Sequence, residues 1–196
     1  PRPTSEPAVT DAEFTDVSSD YWAYKYISKM AKDKVVSGYP DGSFMPEGSV
    51  RREEFAVMLS NAFAISGAEG DGFSDVDRGA WYANAVLSAQ KLGIISGRGD
   101  GRFGLGETMT REDMCVMVKK TAEALKLRLN ESYDRIIFAD RNEISDYALD
   151  AVEMLQKSGI VAGYSDGTFK PKDKVTRAAA VKVIASLLSG SDGIQA

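Results

Sequence analysis

The sequence predicts a mainly α-helical domain in which three copies of one helix–loop–helix unit share a core. Three observations carry that expectation. A set of short motifs recurs three times, in the same order, along the 196 residues. Each copy holds two runs of apolar residues at helical spacing. A two-helix unit of this size is too small to bury such stripes alone, so the copies must cover one another.

Taken in order, residues 1–13 are rich in Pro, Thr, Ser and Glu and lack periodicity, which predicts a flexible N-terminal tail. The repeat starts at Phe14. Phe14-Thr15-Asp16-Val17 returns as Phe73-Ser74-Asp75-Val76 and as Phe138-Ala139-Asp140-Arg141. Trp22 returns as Trp81 and, changed, as Tyr147. Gly38-Tyr39-Pro40-Asp41-Gly42-Ser43-Phe44 returns as Gly97-Arg98-Gly99-Asp100-Gly101-Arg102-Phe103 and as Gly163-Tyr164-Ser165-Asp166-Gly167-Thr168-Phe169. Gly38 to Gly97 and Arg52 to Arg111 both span 59 residues, whereas Gly97 to Gly163 and Arg111 to Arg177 both span 66. The units are therefore 14–72, 73–137 and 138–189. The excess in the last spacing falls mostly in Leu127 to Arg135, where a surface excursion is expected. Residues 190–196 read as a frayed C-terminal tail.

Each unit has one internal plan. Its first helix carries Ile27, Met30 and Ala31; then Ala85, Val86, Ala89 and Leu92; then Ala151, Val152 and Leu155. Gly93 and Gly159 fit left-handed C-terminal caps, with Lys34 standing at that place in the first unit. After a short apolar segment come the Asp-Gly turns, for which a minimal hairpin or an extended pair is expected. The second helix begins at Arg52, Arg111 and Arg177 and carries Phe55, Met58, Leu59, Ala62 and Phe63; Met114, Met117, Val118, Thr121, Ala122 and Leu125; and Ala180, Val183, Ile184, Leu187 and Leu188. Packing around a shared axis and stacking into an open solenoid both satisfy this pattern.

The helix starts carry the chemistry. Thr110 and Thr176 stand where N-caps belong, Arg follows at the first helical position, and Asp113 makes the second start close to a capping box. A cation in the first turn is disfavoured by roughly 0.3–1 kcal/mol. Accepting that cost three times suggests an anion bound at the helix N-terminus. The alternative is an internal ion pair for each Arg, with Asp16, Asp75 and Asp140 as the candidate acids.

Composition narrows the function classes. With 43% apolar and 27% charged residues the chain is ordinary for a globular protein. A net charge of −5 gives no support to a nucleic-acid surface. The chain has no His, which removes the commonest general base, the commonest zinc ligand and every His-based triad. Cys115, alone in an apolar helical run, reads as a buried inert thiol. The Asp-Gly turns lack the alternating oxygens of a calcium loop, so no metal and no cofactor is expected. No stretch is long and apolar enough to span a bilayer, and no signal peptide is visible, so a secreted chain would be a mature form.

The Phe-x-Asp-Val start, the Trp, the Gly-Tyr-x-Asp-Gly-x-Phe loop and the Thr-Arg helix start resemble the S-layer homology module, three times over and across about Phe14 to Leu188. The first unit is similar to those of S-layer proteins from Paenibacillus-like bacteria. The resemblance implies a pseudo-threefold helical prism with ligand grooves between modules. It implies an extracellular, non-catalytic domain that anchors a surface protein to secondary cell-wall polysaccharide through a terminal pyruvyl-ketal N-acetylmannosamine. It also implies a domain monomeric in isolation, with lattice formation left to the rest of the parent protein.

The residues suit that ligand. A guanidinium matches the ketal's carboxylate at two points. The expected contacts are Arg52, Arg111 and Arg177; the aromatics Trp22, Trp81 and Tyr147; the loop residues Gly38, Tyr39, Gly97, Arg98, Gly163 and Tyr164; and Asp16, Asp75 and Asp140 as acceptors for hydroxyls or anchors for the Arg. The first unit has Arg51 in place of the capping Thr; the third has Arg141 in place of Val and Ala179 in place of the acid, so the first two units are the better matches. Two rivals stand: a module for S-layer assembly, whose grooves hold an acidic segment of another subunit, and a wall-degrading hydrolase, against which the missing His argues.

Overall fold

A computed structural model describes residues 14–67 and 70–192, so the expected N-terminal tail lies outside the described residues. Among these residues the chain forms six α-helices: α1 (Tyr24–Lys32), α2 (Arg52–Ala62), α3 (Ala83–Lys91), α4 (Arg111–Ala124), α5 (Asp146–Lys157) and α6 (Arg177–Gly190). A 3-10 turn covers Arg141–Glu143. The fold is mainly α, two helices to each unit.

The local signals act as the sequence requires. Lys34, Gly93 and Gly159 end the first helix of each unit at φ +57°, +74° and +68°. The apolar stripes are buried apart from half-buried Ala62, Leu125 and Leu188 at the helix ends, and Thr110 and Thr176 accept the N–H of Asp113 and Ala179 at 3.2 Å. Arg51 has no acceptor to cap with, so in α2 only the return bond forms, from the Arg51 N–H to the Glu54 carboxylate at 2.7 Å. Leu92 departs from the expected stripe: it is the C-cap residue of α3, beyond the last helical turn, and is largely exposed.

Each Asp-Gly turn closes on a bond from the N–H of Tyr39, Arg98 or Tyr164 to the carbonyl of Ser43, Arg102 or Thr168, and Gly42 and Gly167 also donate to the Tyr39 and Tyr164 carbonyls, without the ladder of a hairpin. Something else therefore fixes the loops. Asp16 accepts the N–H groups of Phe44 and Met45, Asp75 those of Phe103, Gly104 and Leu105, and Asp140 those of Phe169 and Lys170, all at 2.7–2.9 Å. In each unit the Phe beside that Asp packs on the loop Phe, with ring centroids 5.1–5.7 Å apart.

The units join in a ring. The Val50 N–H donates to the Val175 carbonyl, Val175 to Met109, and Met109 back to Val50, at 2.8–2.9 Å, and all three residues are buried. Isolated backbone bridges pair Ser49 with Thr176, Arg51 with Thr108 and Thr110 with Lys174. Every unit thus touches both others, which an open stack of three would not allow. The excursion after α4 leaves residues 130–137 exposed. Its strand Arg128–Leu129 (β1) pairs antiparallel with Ser191–Asp192 (β2). The expected frayed end is corrected there: α6 runs to Gly190 and the backbone continues into β2, while residues 193–196 lie outside the described set.

Candidate functional site

At the starts of α2, α4 and α6 the backbone N–H of each Arg is already taken by a loop of a neighbouring unit. Arg52 donates its backbone N–H to Glu107, Arg111 to Asp173 and Arg177 to Gly48, at 2.9–3.0 Å. The expectation of free helix-end donors beside each Arg is corrected by these bonds. The cation is tolerated in the first turn because its side chain leaves the helix and enters the next unit.

There the three guanidiniums repeat one geometry around the ring. Nε of Arg177 donates to the Phe44 carbonyl at 2.8 Å and Nη2 to Ser37 at 3.0 Å. Nε of Arg111 donates to Phe169 at 2.8 Å and Nη2 to Ala162 at 3.1 Å. Nε of Arg52 donates to Phe103 at 3.2 Å. Each also lies over the ring of that loop Phe at 4.6–5.1 Å.

What differs is the acid. Arg177, 1% exposed, has Nη1 3.6 Å from the Glu54 carboxylate, which also accepts the Tyr39 hydroxyl at 3.1 Å. Arg52, 6% exposed, has Nη1 3.7 Å from Asp113. Burial, then the nearby Arg98 charge, depresses the Arg52 pKa. Asp113 also takes Arg98 at 3.4 Å and the Tyr147 hydroxyl at 2.9 Å. Burial and these two acids, Asp113 and Glu112, push the Tyr147 phenol well above its ordinary range. Glu54 and Asp113 occupy the third position of α2 and α4, and the third position of α6 is Ala179. Among the described residues no carboxylate pairs with Arg111, which is only half-buried, its guanidinium 4.9 Å from the Tyr164 ring.

The clefts obey the same equivalence. One of about 450 Å³ is lined by Arg52, Ile95, Ser96, Gly97, Arg98, Asp113, Val116, Lys120 and Tyr147. A much smaller one, about 40 Å³, is lined by Arg177, Val36, Ser37, Glu54, Val57, Asn61 and Trp81. Each therefore takes an Arg from one unit, a loop and second helix from the next, and an aromatic from the third. The expected site residues sort accordingly. Gly97, Arg98, Tyr147 and Arg52 line the larger cleft; Trp81 and Arg177 line the smaller, beside Tyr39; Tyr164 meets Arg111. Trp22, half exposed, holds the place in the first unit that Trp81 and Tyr147 hold in theirs.

Other expected residues have internal work. Asp16, Asp75 and Asp140 spend their carboxylates on loop N–H groups and do not anchor the three arginines. Burial raises the Asp75 pKa, but the bonds from Leu105, Phe103 and Gly104 outweigh it and hold the carboxyl low. Gly38 and Gly163 lack side chains because a Cβ would stand 2.5–2.6 Å from the Phe14 or Phe138 ring, and one at Gly97 would stand 2.7 Å from Phe73. Sequence reasoning missed Glu54 and Asp113 as the arginines' partners, although their spacing from each Arg was in view.

Fold and clefts define a class first: a helical repeat domain whose concave seats are each assembled from neighbouring units. The family model described as the S-layer homology domain matches residues 13–56, 72–115 and 137–181, and the chain belongs to that family. It is 36% identical to an amylopullulanase of Thermoanaerobacterium thermosulfurigenes and 31% identical to an endoglucanase of Bacillus sp. (strain KSM-635), over 94% of this chain in both and over 10% and 20% of those proteins. It is 27% identical to an S-layer protein of Bacillus thuringiensis subsp. finitimus, over 91% of this chain and 21% of that protein. The chain thus spans a fifth or less of the length of these enzymes. S-layer homology domains are cell-wall anchoring modules of bacterial surface proteins, and enzymes carry them as one part of a longer chain.

Proposed function

We propose that this domain anchors its parent protein by binding secondary cell-wall polysaccharide through a terminal pyruvyl-ketal N-acetylmannosamine, without catalysis and as a monomer when isolated. One observation carries the reading: Arg111 is held in place by two loop carbonyls, yet no described carboxylate neutralises it. A fixed guanidinium of this kind is preorganised for a carboxylate fixed on a sugar, and little side-chain entropy remains to be lost on binding. Tyr164 offers a ring beside it, and Trp22, the exposed counterpart of Trp81 and Tyr147, is the aromatic that equivalence assigns to the sugar's apolar face.

Calorimetry with the pyruvylated disaccharide and its unpyruvylated parent tests this. Arg111→Ala is expected to lose most of the affinity for the first without unfolding, and the parent sugar is expected to bind weakly to both. Equal binding of the two sugars would overturn the reading. Self-association in size-exclusion chromatography without glycan would favour the S-layer assembly module instead.

A further inference from the structure

The third groove differs from the other two at a second position. Val57 and Val116, three residues after Glu54 and Asp113, line the other clefts, and their counterpart in α6 is Lys182. Residues three apart on a helix share a face, so Ala179 and Lys182 present themselves to the same groove. In that groove the acid has been removed and a cation added. Among the described residues neither Arg111 nor Lys182 has an ion-pair partner, and Lys182 is half-buried.

Resting on the reading of the grooves as seats for an acidic sugar, we propose that this chain binds one ligand carboxylate, in the Arg111–Lys182 groove alone, because Glu54 and Asp113 act as built-in occupants of the other two. The Arg177 groove is tight: its guanidinium is 1% exposed, and the cleft beside it offers about 40 Å³ against about 450 Å³ beside Arg52. The Arg52 groove is roomy, but Asp113 stands in it between Arg52, Arg98 and Tyr147, and Arg98 is also bonded to Glu107. A ligand carboxylate there would lie against a like charge in a half-buried site, where repulsion is weakly screened. In the third groove it meets Arg111 and Lys182, neither of which is paired with a carboxylate among the described residues.

The test is calorimetric titration of the folded domain with a pyruvylated N-acetylmannosaminide, on wild type, Ala179→Glu and Ala179→Gln. The expected stoichiometry is one per chain. Glu, supplying the third groove with the acid that the others have, should weaken binding by about a hundredfold, and Gln, equal in size but neutral, by less than tenfold. Two or three sugars per chain, or equal losses for Glu and Gln, would overturn the proposal while leaving the function intact. A wild type that ignores the sugar would overturn both. Should Ala179→Glu fail to fold, the wild-type stoichiometry still decides.

Discussion

The grooves of Arg177 and Arg111 hold the same side chain, bonded by the same two atoms to equivalent loop carbonyls, and they do opposite things. In one the guanidinium is sealed against Glu54 and Tyr39 and works as a rivet between the last unit and the first. In the other it is half-exposed, with no carboxylate paired to it among the described residues. The difference lies in two residues of the adjoining unit, Glu54 and Val57 in one and Ala179 and Lys182 in the other, so the role of a repeated residue is set by its neighbours rather than by its own motif. Arg177→Ala is the sharpest way to break this comparison. It would strand Glu54 as a buried charge and cost about 3–5 kcal/mol. Arg111→Ala strands no charge and should cost less than about 2 kcal/mol, the loss of two bonds to neutral carbonyls. Urea unfolding of both variants checks it, and equal destabilisation would mean that the grooves are not energetically distinct.

Next in size is a test of what the units share. Gly38 and Gly163 face equivalent Phe rings at nearly equal distance, so Gly38→Ala and Gly163→Ala should each destabilise by about 2–3 kcal/mol as the ring is forced aside. Thermal unfolding of the pair reads the result. Strongly unequal losses would show that threefold equivalence of geometry is not equivalence of packing.

These cases also show what one sequence makes legible. The helices, their left-handed ends at Lys34, Gly93 and Gly159, and the Thr caps follow from local chemistry, and the structure has them where the pattern puts them. The ring closure was not legible, because the bonds among Val50, Met109 and Val175 join residues scattered over more than half the chain. The site was half legible. The arginines stood out because a cation opens a helix three times over, but where each side chain goes depends on a loop from another unit. Asp16, Asp75 and Asp140 invited a ligand role because a conspicuous acid beside an aromatic looks the same whether it binds sugar or staples a loop. Ala179, where the other units carry an acid, reads from the sequence as a weaker match, and only with Lys182 beside it does it mark the third groove. The readable sign is a departure from the repeat rather than its persistence.

The smallest effects sharpen the comparison at the second position of α2 and α4. Glu53 and Glu112 are equivalent and both buried, yet their pKa values move in opposite directions. For Glu53 burial dominates, and the Gly106 N–H at 3.0 Å does not offset it, so its pKa is raised. For Glu112 burial is outweighed by Lys172 at 2.5 Å, the Ser145 N–H and hydroxyl, and Tyr147, so its pKa is lowered. A lowered carboxyl contributes stability that is present above the unfolded value, near 4.3, and lost as pH falls through the folded one. Glu112→Gln should therefore cost about 2 kcal/mol at pH 7, with the gap to wild type closing below about pH 4. A raised carboxyl does the reverse: its contribution is complete below the unfolded value and is lost as pH rises through the folded one. Glu53→Gln keeps an acceptor for Gly106 and discards a buried charge, so its stability relative to wild type should improve between pH 4 and pH 7, ending within about 1 kcal/mol of it or above. Urea midpoints across that range give both curves. Parallel profiles would mean that the two acids feel the same surroundings, and that the difference between the units stops at the third helical position.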